Sequence, residues 1–370
     1  YRFGFFKKNI NGVFYDNIKA YTDRMSGITE INTLKSFNNF NKICCDLYLD
    51  LFKEVDETVK TENIIIVPDE EIAFISFDAL QPEFKRQKII NYSAPDYLIY
   101  KYCFSYAYSS PLLFGRSKRK FDTFVYAFAP VYNDSINNPL RQNFGNLKQT
   151  QNEIKSVLGY FNGKAYTGSS ALEDSLKTVF GKCGIIHIAG HASYEDTERE
   201  FSFLAFSDKP GISHEDGLLF AYEIESLNIC SPMVVLSACN TGRGRLYSGE
   251  GVYSLARSFL TAGVLSVVYS LWNVNDNSAY EIMAKFYEYL SKGEMKNKAL
   301  RAAKLNYLNT ATPMAADPRY WSGYVISGDI SPVVKSYGIK IVQIIAGIIF
   351  VFSVFVLLYA LKSYDKNNKS

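Results

Sequence analysis

From residue 121 onward, short apolar runs alternate with amphipathic helical patterns, and this alternation narrows the fold more than any other property of the chain. FVYAFAP (124–130), GIIHIAG (184–190), MVVLSAC (233–239) and VLSVVYSLW (264–272) read as strands. Between and after them, TQNEIKSVLGYF (150–161), ALEDSLKTVF (171–180) and EGVYSLARSFLTAG (250–263) read as helices, with two more over 277–291 and 296–309. FSFLAFS and DGLLFAYEI read as a hairpin, and a last short strand lies near YVISG. Strand–helix alternation of this kind implies an α/β fold with a doubly wound, mostly parallel sheet flanked by helices.

The first third is less regular. Phe40, Ile43, Cys44, Leu47, Leu51 and Val55 recur at helical spacing over 36–58. NIIIVPDE (63–70) reads as a short buried strand stopped by Pro68, and AFISFDAL (73–80) as a second strand turning into a loop. Residues 97–108 form an apolar aromatic run of open type, and GRSKRK (115–120) reads as a solvated linker. Residues 1–35 are polar and read as the remnant of an upstream region. The chain opens on Tyr1, so it is expected to be a piece of a longer protein.

Length and charge exclude several classes. The 370 residues suggest two or three domains with enough core to fold without staples. Forty Lys and Arg against 37 Asp and Glu give +3, which lacks the basic footprint of a nucleic-acid binder. The six cysteines show no CxxC and no framework spacing, so reduced thiols, mostly core, are expected in a cytosolic compartment. Residues 341–361, IVQIIAGIIFVFSVFVLLYAL, carry no charge. At about 1.5 Å per residue the run reaches roughly 30 Å, the thickness of a bilayer core. A C-terminal transmembrane helix over 339–361 is therefore expected, with a polar tail at 362–370 and the large domain on the cytoplasmic side of a single-pass membrane protein.

Two strand-like runs end in reactive side chains. GIIHIAG leads into His191, and MVVLSA leads into Cys239. In open α/β sheets ligands sit beyond the carboxyl ends of strands, so neighbouring parallel strands would bring both residues to one rim. A thiolate is a strong nucleophile, and a nearby imidazole can deprotonate it and later protonate the leaving amine. Gly190, Gly242 and Gly244 flank the two residues and leave room for a sharp turn and a substrate. The backbone N–H groups of Ala192 and Cys239 are candidate oxyanion donors.

HIAGHA (187–192), LSACNTG (236–242), GEGVYSLARSFLTAG (249–263), SLWNVND (270–276), FYEYLSKG (286–293) and DPRYWSGYVISGD (317–329) occur in this order. Together with IIIVPDEEIAFISFDAL (64–80) and LKQTQNEIKSVLGYF (147–161), they closely resemble the CHAT family of caspase-like peptidases over roughly residues 40–330. The resemblance implies a caspase-like fold with an inactive-looking half at 36–115 and a catalytic half at 121–332. It implies a His191–Cys239 dyad and a protein or peptide as substrate; no cofactor is expected, and no metal, since no carboxylate or second cysteine joins His187 and His191 at ligand spacing. Family members often carry helical repeats ahead of this domain, which implies regulation by an N-terminal repeat region or partner. Asn240 departs from the Glu that many members place after the cysteine.

His187 shares strand parity with His191 and reads as a core or supporting histidine, since an HxxxH metal pair belongs to a helix. His214, in a Gly/Ser/Asp loop, is expected at the surface. Asp276 ends the SLWNVND run, where it either receives a basic substrate side chain or caps the following helix. Trp272 and Trp321 read as core. Two functions follow: a membrane-anchored cysteine endopeptidase, or a catalytically silent scaffold that uses the same fold to bind proteins.

Overall fold

The computed structural model describes residues 12–28, 33–108, 120–132, 140, 144–193, 202–208, 215–238, 244–247, 251–334 and 353–354, the side chains of 244–247 and 251–253 excepted. It divides into a unit of residues 1–333 and a second unit of residues 334–370.

The helices are α1 (Gly12–Met25), α2 (Leu34–Leu51), α3 (Lys53–Thr58), α4 (Thr150–Tyr160), α5 (Glu173–Lys177), α6 (Ala221–Ser226), α7 (Leu255–Thr261), α8 (Asp276–Ser291), α9 (Lys296–Thr310) and α10 (Pro318–Trp321). The strands are β1 (Asn63–Ile66), β2 (Cys103–Tyr106), β3 (Val125–Ala129), β4 (Gly163–Thr167), β5 (Ile185–Ser193), β6 (Phe203–Ala205), β7 (Leu218–Phe220), β8 (Val234–Ala238), β9 (Gly244–Tyr247), β10 (Gly251–Ser254), β11 (Ser266–Ser270) and β12 (Tyr324–Gly328).

One sheet runs β1-β2-β12-β11-β8-β5-β3-β4, with β6 and β7 added antiparallel beside the end of β5. β4, β3, β5, β8 and β11 are mutually parallel. β12 turns back antiparallel to β11 and lies parallel to β2. The expected α/β architecture is present, with one antiparallel join where the two strand directions meet. The central strands are buried along their length, as parallel strands covered on both faces must be. Phe128, Val235, Val268 and Ile326 are at most about 0% exposed and lie at the heart of the sheet.

Several expectations need correction. AFISFDAL is not a strand: two 3-10 turns, Glu70–Phe74 and Phe77–Ala79, occupy it. A long-range pair holds this shape, because buried Asp78 accepts from Lys304 at 2.5 Å. Residues 12–25 are regular, forming the helix α1. Phe14, Ile18, Tyr21 and Met25, spaced 4, 3 and 4 apart, form the buried stripe of α1. Cys183 and Cys230 are not reduced thiols but a disulfide with Cα atoms 4.4 Å apart. They precede β5 and β8, which are neighbours, so strand pairing brings together residues 47 apart in sequence. Cys44, Cys45 and Cys103 are buried free cysteines, as expected of core thiols.

The membrane reading is also overturned. Among the described residues, no helix is long and apolar enough to cross a membrane. A span needs a continuous apolar helix of about 20 residues. The longest described helix, α2, has 18 and carries Lys42, Asp46 and Asp50. Of the run at 339–361, only Ser353 and Val354 are described, and the rest lies outside the described residues. The structure therefore does not support a transmembrane helix or a single-pass localisation.

Candidate active site

His191 sits near the carboxyl end of β5, where the strand leaves β8 and pairs with β6 opposite Ala205. Its ring stacks on Phe144, with centroids 4.9 Å apart, and tilts against Tyr132 at 4.8 Å. The Tyr132 hydroxyl accepts from the His191 backbone N–H at 2.8 Å. Gly190 makes this approach possible, since a Cβ there would come within 2.7 Å of the same hydroxyl. Nε2 lies 2.7 Å from the Gly145 carbonyl oxygen. A carbonyl only accepts, so Nε2 holds the proton of the neutral ring and Nδ1 is left as the basic nitrogen. Burial pulls the His191 pKa below its ordinary value, while the Gly145 carbonyl and the Asp276 charge oppose that shift.

β5 and β8 are adjacent and parallel, and their last register pair is Gly190 opposite Ala238. His191 follows the first of these in the chain and Cys239 the second. Cys239 itself lies outside the described residues, as do Gly242 and His214. Ala192 is in β5 opposite Leu204.

A cleft of about 410 Å³ opens at these strand ends, lined by Gly190, Ser237 and Ala238 on the sheet side. Asp276 borders it, half-buried, as the first residue of α8. It is not the cap of that helix. Asn275 is, and its side chain accepts from the N–H groups of Asn277 and Ser278. Asp276 Oδ2 instead accepts from the Gln149 N–H at 3.0 Å, at the start of α4. The starts of α4 and α8 thus meet at one carboxylate.

Sequence reasoning missed a second acid on the cleft. Thr150 and Glu153 have capping-box spacing, but no side chain caps α4. Glu153 is 1% exposed, lines the cleft, and puts Oε1 at 2.9 Å from His187 Nε2. His187 Nδ1 meets the Tyr287 hydroxyl at 3.1 Å. His187 is therefore a core histidine, in keeping with its expected role. Trp272 and Trp321 are likewise buried. Arg319, which also borders the cleft, adds a positive charge to it.

Among the described residues, one acidic group has metal-like spacing: Glu173, Glu215 and Glu223. Lys177 already fills it, with its ammonium at 2.7, 2.8 and 3.2 Å from the three carboxylates. Burial pushes the Glu173 carboxyl up to about 7.

A mostly parallel sheet with helices around it, a histidine at the end of one central strand and a cleft at the carboxyl ends of that strand and its neighbour define the class of α/β protein to which the chain belongs. The chain belongs to the CHAT domain family, whose model matches residues 42–329. It is 28% identical over 111 residues to the tetratricopeptide repeat protein 28 of Mus musculus, a stretch that is 30% of this chain and 4% of that protein. Among solved structures it is similar to the Arg-specific cysteine proteinase gingipain R, at 11% identity and a TM-score of 0.47, covering 88% of this chain and 76% of that one. It is also similar to the Saccharomyces cerevisiae separase–securin complex, at 12% identity and a TM-score of 0.46, covering 78% of this chain and 17% of that one.

Proposed function

We propose that this chain is the catalytic domain of a cysteine endopeptidase, with Cys239 as nucleophile and His191 as base. The observation that carries the proposal is the parallel register of β5 and β8. Gly190 and Ala238 are partners, and each precedes one member of the pair by a single residue. Adjacent strands lie about 4.8 Å apart. His191 Nδ1 accepts the thiol proton, the thiolate attacks the peptide carbonyl, and the imidazolium returns the proton to the leaving amine. The N–H groups of Ala192 and Cys239 are the proposed donors to the oxyanion. Asp276 is the proposed acceptor for a Lys or Arg just before the scissile bond. In this reading residues 36–115 form the half without chemistry and 121–332 the half that carries it. Helical repeats ahead of the domain, or a partner bound there, are its proposed regulators.

The pH dependence of peptide cleavage tests the role of His191. A base acts only when neutral, and the lowered pKa keeps His191 neutral to lower pH. The acid limb of kcat/KM is expected below pH 6.5, the ordinary histidine value. Asp276→Asn removes a charge that raises this pKa, so the limb should move lower still. His191→Ala should lose both the limb and most of the activity. A limb above 6.5, or cleavage that survives His191→Ala, would remove His191 from the mechanism.

A further inference from the structure

The cleft has one wall that the sheet does not supply. Met25, Ser26 and Gly27, the last turn of α1 and the residues that follow, line it. They lie upstream of the 42–329 stretch that matches the family. A buried cation fixes this turn in place. Arg24 is 3% exposed, and its Nη2 donates to Asp317 Oδ2 at 2.6 Å and to the Tyr92 hydroxyl at 2.9 Å. Its guanidinium also sits 4.6 Å from the centre of the Phe40 ring. The other oxygen of Asp317 accepts from the Arg319 N–H at 3.0 Å and so caps α10. Arg319 and Tyr320, at the start of α10, line the cleft as well. One carboxylate therefore ties the upstream helix to the neighbouring wall. Removing either charge would leave the other buried and unpaired, so the tie is stiff. Met25 is 1% exposed and shapes the wall from beneath, while Ser26 is half-buried at its face.

We infer that the last turn of α1, Met25–Gly27, is a specificity-determining wall of the substrate cleft and that Ser26 sets the width left for the incoming side chain. This rests on the proposal that Asp276 receives a basic side chain there. Lys and Arg carry a long apolar stem behind the charge, and that stem must pass the wall for the head to reach a carboxylate. A larger residue at 26 takes up the space of the stem, whereas the charge partner is untouched.

The test is a volume series at Ser26 in the full chain, read as binding of N-acetyl-arginine amide by calorimetry, with melting temperatures recorded alongside. Ser26→Ala is expected to bind within about twofold of wild type. Ser26→Gln should bind more weakly, and Ser26→Phe roughly tenfold or more weakly, since overpacking a formed site forces its walls apart. Methylguanidinium, which has the head without the stem, should show little dependence on residue 26. Affinity for the arginine derivative that is flat across the series would overturn the inference, as would a wild type that does not bind it. Should Ser26→Phe lower the melting temperature, Ser26→Gln decides on its own. Binding is read without cleavage, so a wild type that binds but cleaves nothing defeats the peptidase proposal and not this one.

Discussion

Cys239→Ser is expected to lower peptide turnover by roughly three orders of magnitude or more, with the melting temperature nearly unchanged. A hydroxyl is a far poorer nucleophile than a thiolate at neutral pH, and removal of a nucleophile that works with a base disables the whole unit. The exchange changes one atom, so the packing around Ala238 at the end of β8 stays as it is. Single-turnover measurements on wild type and variant separate a lost chemical step from weakened binding. Near-normal cleavage by Cys239→Ser would remove this residue from the mechanism.

Asp276→Asn is expected to cut cleavage after Lys or Arg by about 10- to 100-fold while sparing cleavage after neutral residues. A hydrogen bond to a charged group contributes about 1.5–3 kcal/mol, and about 1.4 kcal/mol corresponds to one decade in rate. The carboxylate is half-buried, so the larger loss associated with a sealed ion pair does not apply. Asn275 caps α8 by itself, and an Asn at 276 can still accept the Gln149 N–H, so stability should hold. An unchanged preference profile would return Asp276 to a structural role, as the acceptor that joins the starts of α4 and α8.

How much of this was legible in the sequence varies by interaction range. Of the five parallel strands, β3, β5, β8 and β11 are buried by the fold and announce themselves as short apolar runs bounded by breakers. GKAYT, the edge strand β4, does not, because only Tyr166 of its five residues is buried. His191 and Asp276 were placed by their position at the ends of runs, and the sheet order then brought Gly190 beside Ala238. Glu153 was not legible as a cleft residue, because its spacing from Thr150 is only a local signal, whereas the buried His187 that approaches it lies across the packing of α4 on the sheet. The same limit hid the Cys183–Cys230 bridge, which exists only once β5 and β8 are neighbours. Helix α1 was legible in principle: Phe14, Ile18, Tyr21 and Met25 carry the 3.6-residue period inside a segment whose overall polarity obscured it. The uncharged run at 341–361 satisfied a length rule, but no described helix has the length and apolarity that a span requires.

In the proposed chemistry Cys239 is a nucleophile activated by His191. Its most direct test is labelling with a peptidyl electrophile that carries Arg next to the reactive carbonyl, followed by mass spectrometry of the digested protein. A single stoichiometric adduct on Cys239 is expected, lost in Cys239→Ala and slowed by orders of magnitude in His191→Ala. Buried Cys44 and Cys103, whose thiols burial pushes up, should stay unlabelled. Equal labelling of wild type, Cys239→Ala and His191→Ala would contradict the proposed chemistry.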